Sequence, residues 1–231
     1  MARVFWLCVA GGTAWCAYEQ YRLGEWPWAR KKWSLGGIEL LRRTDWSASE
    51  PTEALGRMQR PTRITIHHTG GSIVTADDRD SAARSIKAMQ TDHMRKRRWS
   101  DIGYHYIVDR AGRVWEGRPA DSIGAHAGSA AANDRNLGIV LLGNFDQQSP
   151  STAQAASLEK LVGALRARSS IPRSQVLSHS EVRGDCGLGP TSCPGKHLSA
   201  WIEGYRRKPV SNSTDRIRTP SADRRSDRIR S

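Results

Sequence analysis

The sequence predicts an α/β fold: a mixed central β-sheet with helices packed on its faces. Three observations carry that prediction. Between residues 62 and 206, short strings of strand length alternate with long stretches of helical periodicity. One pair of strings flanks a tight turn and reads as an antiparallel hairpin, so the sheet is mixed rather than wholly parallel. A further string, LGIVLLG at 137–143, is continuously apolar, the pattern of a strand covered on both faces. Elements in this order bury their apolar sides by layering helices on a sheet.

In chain order, TRITIH (62–67) alternates β-branched with polar residues and runs into Thr69-Gly70-Gly71, a strand ending in a loop. Residues 78–97 place Ala82, Ala83, Ile86, Met89 and Met94 at helical spacing without Gly or Pro, which makes an amphipathic helix. GYHYIVD (103–109) and GRVWEG (112–117) form the hairpin. Residues 151–168 start on Ser151 or Thr152 as N-cap and put Leu158, Leu161, Val162 and Leu165 on one face, a second helix. QVLSH (175–179) is a short strand and 197–206 a final short helix. No internal repeat is visible.

The 231 residues carry 36 Lys+Arg against 23 Asp+Glu, a formal +13, which suggests a polyanion binder until the charge is located. Residues 1–61 hold nine basic and six acidic side chains, residues 62–205 hold 18 and 14, and residues 206–231 hold nine and three. The middle block is therefore only +4, while the last 26 residues carry +6 with two isoleucines and a valine as their sizeable apolar side chains. Such a tail cannot bury enough surface to offset its ordering entropy, and a disordered basic tail is expected over 207–231. The middle block has no basic motif, so nucleic acid is not the expected partner.

Six of the nine tryptophans fall within the first 46 residues, and 4–18 (VFWLCVAGGTAWCAY) is apolar but short. A signal peptide, an interfacial anchor and a helix packed on the domain all fit this stretch. The expectation is export or membrane association through a Trp-rich segment at 1–43, at the cell envelope. No apolar run approaches the roughly 20 residues of a spanning helix. Four scattered cysteines are too few for a disulfide scaffold. One domain over 44–206, acting as a monomer, is expected.

All seven histidines lie between 67 and 197. His67 and His179 each end a predicted strand, and Cys193 follows in T-S-C-P-G. Strand ends are rigid and sit at the sheet rim, where open sites form. Two histidines and a cysteine leave a fourth tetrahedral position open, as in catalytic rather than structural zinc sites. Spacing alone does not show that they meet, because the histidines are 112 residues apart.

Six strings appear in order: DWSASEP (45–51), ITIHHTGG (64–71), WSDIGYHYIVDRAGRVWEGR (99–118), IGAHAG (123–128), NLGIVLLGNF (136–145) and TSCPG (191–195). Together they resemble the peptidoglycan recognition protein and phage-lysozyme-type N-acetylmuramoyl-L-alanine amidase family, over about residues 44–206. The resemblance implies hydrolysis of the amide between the lactyl group of N-acetylmuramic acid and L-alanine of the peptidoglycan stem. It implies Zn2+ as cofactor, with His67, His179 and Cys193 as ligands and Tyr104 as the catalytic tyrosine. Thr191 matches a position occupied by Thr or Lys in the family, and His126 a cleft histidine near the substrate. His68, Trp99 and Arg118, within the same strings, are the other expected contacts to the muramyl peptide, although strand alternation turns His68 away from His67.

The chemistry suits these residue types. Zinc polarises a carbonyl and makes water nucleophilic near neutrality, and the tetrahedral intermediate needs a donor at its oxyanion. The Tyr104 phenol supplies one, worth about 3 kcal/mol, with the Thr191 hydroxyl in support. No Glu stands in an obvious general-base position, so proton transfer is expected through Tyr104 and water. Three departures from the family pattern stand out. Cys186 lies seven residues after His179 and Cys193 fourteen, where family intervals are nearer eight. By spacing alone either could be the ligand; the flanking Thr and Pro-Gly favour Cys193. His179-Ser180-Glu181 replaces His-Arg-Asp. Pro119-Ala120 replaces Gly-Trp, so the family's reading of the stem peptide's third residue does not transfer.

Overall fold

The computed structural model describes residues 34–209. The apolar stretch at 4–18 and nearly all of the basic tail lie outside the described residues. Among the described residues, no helix is long and apolar enough to cross a membrane.

Seven strands form one sheet: β1 (Ser34–Leu35), β2 (Ile38–Leu41), β3 (Arg63–His68), β4 (Tyr106–Val108), β5 (Val114–Glu116), β6 (Asn136–Leu141) and β7 (Val176–Ser178), in the order β1-β2-β5-β4-β6-β3-β7. β4 and β5 pair antiparallel as the predicted hairpin, whereas β2/β5, β4/β6, β6/β3 and β3/β7 are parallel. The sheet is mixed, as the sequence predicts. The central strands β3 and β6 are buried almost throughout, which accounts for the unbroken apolar run of β6.

Helices α1 (Arg79–Arg95), α2 (Ala130–Asn133), α3 (Thr152–Ser169), α4 (His179–Asp185) and α5 (Lys196–Arg207) complete the fold. Strand alternation divides the core between two faces. Ile64, Ile66, Val108, Ile139 and Leu141 meet Leu158, Leu161 and Leu165 of α3 and Leu198 and Ile202 of α5. Ile107, Trp115 and Val140 meet Ala82 and Ile86 of α1, together with Trp46. His67 has the parity opposite to Ile64 and Ile66, so it faces the α1 side, while His68 turns to the other face.

The predicted helices at 78–97 and 151–168 are α1 and α3, and Ser151 is the N-cap of α3, closing a capping box with Gln154. Three differences matter for the site. β2 pairs with β5, so the sheet begins ahead of the boundary expected at residue 44. α2 has no counterpart in the sequence reading. The last predicted strand, 175–179, stops at Ser178, and His179 opens α4 instead of ending a strand. Ser178 caps that helix: its hydroxyl accepts from the Glu181 N–H at 3.1 Å, and the Glu181 carboxylate accepts from the Ser178 N–H at 2.7 Å.

Candidate metal centre

His67 is carried by β3, His179 by the first turn of α4, and Cys193 by the loop between α4 and α5. Their ligand atoms all lie within 4.8 Å of one another. The His67 and His179 ring centroids are 4.5 Å apart, and Nδ1 of His67 lies 3.7 Å from Cys193 Sγ. His67 is fully buried. Burial, then the neighbouring histidines, hold its pKa well below the ordinary 6.5. Burial likewise lowers His179 to about 4. Both rings are therefore neutral at physiological pH, each with one lone pair available.

The free lone pairs point at the same place. His179 hydrogen-bonds to the backbone of Ala127, while its buried Nε2 has no hydrogen-bond partner. A buried nitrogen without a partner costs roughly 1–3 kcal/mol; a cation between His179, His67 and Cys193 removes that cost. One soft sulfur and two imidazoles are the donor set of a zinc site with an open fourth position. The residues fit the ion that the sequence resemblance implies.

Cys186 is not part of this set. It packs against a small apolar cluster of Ala127, Leu177 and Val182. The extra residues 184–189 thus lengthen the loop without changing which sulfur reaches the histidines. Burial pushes the Cys193 thiol up to about 12, so the thiolate needs a cation beside it.

Tyr104 lies just ahead of β4, its ring centroid 5.0 Å from that of His67. Burial first, and Cys193 second, raise its phenol above the ordinary value of 10.0. It is a hydrogen-bond donor across the physiological range. The Thr191 hydroxyl oxygen accepts from the Cys193 N–H at 3.2 Å, which shapes the Cys193 loop and leaves the hydroxyl proton to donate. Beside the metal set opens a cleft of about 630 Å³ lined by Thr69, Met89, His93, Arg97 and Tyr104, among others. Trp99 packs behind that wall, 4.7 Å from His93, under the Arg97 guanidinium at 5.2 Å.

Three residues expected to touch substrate have internal partners instead. Arg118 is 7% exposed and donates to the carbonyls of Ile102, Ile123 and Asp101 at 2.8, 2.9 and 3.2 Å. Its guanidinium fixes the loop leading to Tyr104. Nδ1 of buried His68 accepts from the Phe145 N–H at 3.2 Å on the far face of the sheet. His126 is buried, with Nδ1 3.0 Å from His67 Nε2 and Nε2 3.1 Å from the Asn136 carbonyl. It sits behind His67 rather than in the cleft.

Sequence reasoning missed three contributors. The Ser178 cap orients α4, Ala127 supports His179, and Asn133 Oδ1 accepts from the N–H groups of His126 and Ala127 at 2.8 and 2.9 Å. Only the cap had a local signal, the S-x-x-E of 178–181.

The N-acetylmuramoyl-L-alanine amidase family model matches residues 57–196, a span that takes in His67, Tyr104, His179 and Cys193. Peptidoglycan-recognition protein SD of Drosophila simulans is 35% identical over 170 residues, 73% of this chain and 86% of that protein. The solved structure of Drosophila PGRP-LB superposes with a TM-score of 0.64 at 30% identity, covering 76% of this chain and 99% of that one. Peptidoglycan recognition protein-LE, solved in complex with tracheal cytotoxin, superposes with a TM-score of 0.62 at 26% identity, covering 71% and 92%. With the family model matched over residues 57–196 and these relatives aligned over most of their length, this chain belongs to the family of peptidoglycan recognition proteins and N-acetylmuramoyl-L-alanine amidases.

Proposed function

We propose that this protein is a zinc-dependent N-acetylmuramoyl-L-alanine amidase, cutting the amide between the lactyl group of N-acetylmuramic acid and L-alanine of the peptidoglycan stem. The observation that carries this reading is the convergence of His67, His179 and Cys193 on one point, beside a cleft walled by Tyr104. A domain that only bound peptidoglycan would have no use for a partnerless buried imidazole nitrogen and a buried thiol at the end of its groove.

Zinc held by these three residues supplies Lewis acidity toward the amide carbonyl and a nucleophilic water near neutral pH. The chain's own groups do the rest. Neutral His67 and His179 offer lone pairs without adding positive charge, so the ion keeps its acidity. Tyr104, kept protonated by burial, donates to the oxyanion that forms as the carbonyl becomes tetrahedral. The Thr191 hydroxyl is the second donor in reach of the Cys193 side. The cleft beyond Tyr104 holds the stem peptide, with Arg97 and Lys96 among its lining residues for carboxylates. A wall substrate puts the protein at the cell envelope, where a basic tail favours anionic polymers.

Release of free stem peptide from purified sacculi tests the reading. Activity is expected with zinc and is lost with a strong chelator and in Cys193→Ala. Tight sacculus binding without product at stoichiometric protein would instead make the chain a recognition module, the use suggested by a relative solved with monomeric diaminopimelic acid-type peptidoglycan. Activity that survives the chelator would end the zinc mechanism.

A further inference from the structure

The side chains of His67 and His126 form a directional relay that ends on a backbone carbonyl. Nε2 of His126 lies 3.1 Å from the Asn136 carbonyl oxygen, which can only accept. His126 therefore carries its proton on Nε2, and Nδ1 of the neutral ring is an acceptor. That Nδ1 lies 3.0 Å from His67 Nε2, so His67 must donate from Nε2. The remaining nitrogen of His67, Nδ1, then has its lone pair free, and this is the atom 3.7 Å from Cys193 Sγ. One carbonyl thus decides which nitrogen of His67 is open to a metal.

The relay is held in place by its surroundings. A Cβ at Gly138 of β6 would lie 2.5 Å from His126 Cδ2, and one at Gly124 equally close, so the ring occupies room that only glycines leave. The backbone at 126 and 127 is pinned by Asn133 Oδ1, and Asn136 Nδ2 is anchored to the Ala132 carbonyl at 2.7 Å. These contacts fix the ring against the rotation that would exchange its two nitrogens.

We propose that His126 is a positioning residue for the metal centre: it fixes the tautomer and ring orientation of His67 and so presets Nδ1 as the ligand atom. It acts through His67 and touches neither metal nor substrate. The proposal rests on reading His67, His179 and Cys193 as a metal site, but not on the amidase activity. Partners of this kind raise ligand affinity 10- to 100-fold in metalloproteins.

Two measurements test it. In the metal-free protein, long-range 1H–15N spectra of the histidine rings read the tautomers directly and need no variant. The proton is expected on Nε2 of both His126 and His67; a proton on Nδ1 of His126 overturns the relay. Zinc affinity, measured by chelator competition without substrate, is expected to fall about 10- to 100-fold in His126→Leu. It is expected to recover to within a few-fold of wild type in His126→Asn, whose Oδ1 keeps an acceptor near the place of Nδ1. Wild-type affinity in His126→Leu overturns the proposal, as does an Asn variant that folds yet binds zinc as weakly as the Leu variant. A wild-type protein that binds zinc tightly but releases no stem peptide would sink the amidase reading and leave this one standing.

Discussion

The backbone N–H of Ser180 donates to the carbonyl of Cys193 at 3.1 Å. This bond ties the first turn of α4, which begins with His179, to the loop that presents the sulfur. Two ligands that come from separate elements are therefore one mechanical unit, while His67 belongs to the rigid centre of the sheet. The spacing of the set depends on how α4 starts, and the Ser178–Glu181 capping box sets that start.

Ser178→Ala removes the hydroxyl that accepts from the Glu181 N–H. Loss of an N-cap of this kind costs about 1 kcal/mol, read as a lower midpoint in urea. Because the same turn carries His179, zinc affinity is expected to fall with it, and Ser178→Asp, another strong N-cap, to restore both. A stability loss with unchanged zinc affinity would show that the α4 start does not govern the site.

The two described cysteines separate cleanly by environment. Cys193→Ala is expected to leave the protein folded but without stoichiometric zinc, and without release of stem peptide. Cys186→Ala removes only a half-buried side chain at the edge of the small apolar cluster that includes Leu177 and Val182. It is expected to keep zinc and activity at a packing cost of about 1 kcal/mol. Metal content after gel filtration checks both, and the reverse result would transfer the ligand role to Cys186.

How much of this was legible in the sequence follows from the range of the interactions. Elements with strong periodicity and caps, such as α3 behind Ser151, were readable because the signals are local. β2 was obscured by its company: SLGGIELL adjoins a Trp-rich stretch, and its membership of the sheet depends on pairing with β5 more than 70 residues on. α4 was missed because HSEVRGD buries only Val182, too little for a periodic pattern, although its S-x-x-E cap was present. The metal set became readable through motif register, since no local rule brings together residues 112 apart. The true position of His126 was not legible. Its string, IGAHAG, carries the family register, but only the packed fold shows the ring behind His67 and over Gly138.

Tyr104→Phe deletes the phenol and leaves the ring that packs 5.0 Å from His67. Zinc content and fold are expected to be unchanged, because the hydroxyl is no part of the His67/His179/Cys193 set. If the phenol donates to the oxyanion, kcat falls roughly 10²- to 10³-fold with little change in KM. A loss confined to KM would make Tyr104 a substrate contact only.

Stability toward acid follows from histidines buried as acceptors. His105 Nδ1 accepts from the Gly138 N–H at 2.9 Å while its Nε2 lies 2.9 Å from the Ser122 carbonyl. His93 Nδ1 accepts from the Gly103 N–H at 3.1 Å. A protonated ring cannot accept, and burial, the largest cause in each case, lowers both groups from 6.5 to about 4. The unfolded chain therefore binds protons at these two positions first as the pH falls below about 6.5, so the share of stability they govern is full above that pH, declines toward 4, and is constant below it. Each ring contributes on the order of 3 kcal/mol over that window. Since His67, His126 and His179 are depressed as well, the contribution of His105 is best isolated by difference. Urea unfolding of the metal-free wild type and of His105→Gln is expected to give a shallower pH dependence in the variant between pH 6.5 and 4. Parallel curves in the two proteins would mean that the His105 ring is already charged in the folded state, or is free to leave the Gly138 N–H at no cost.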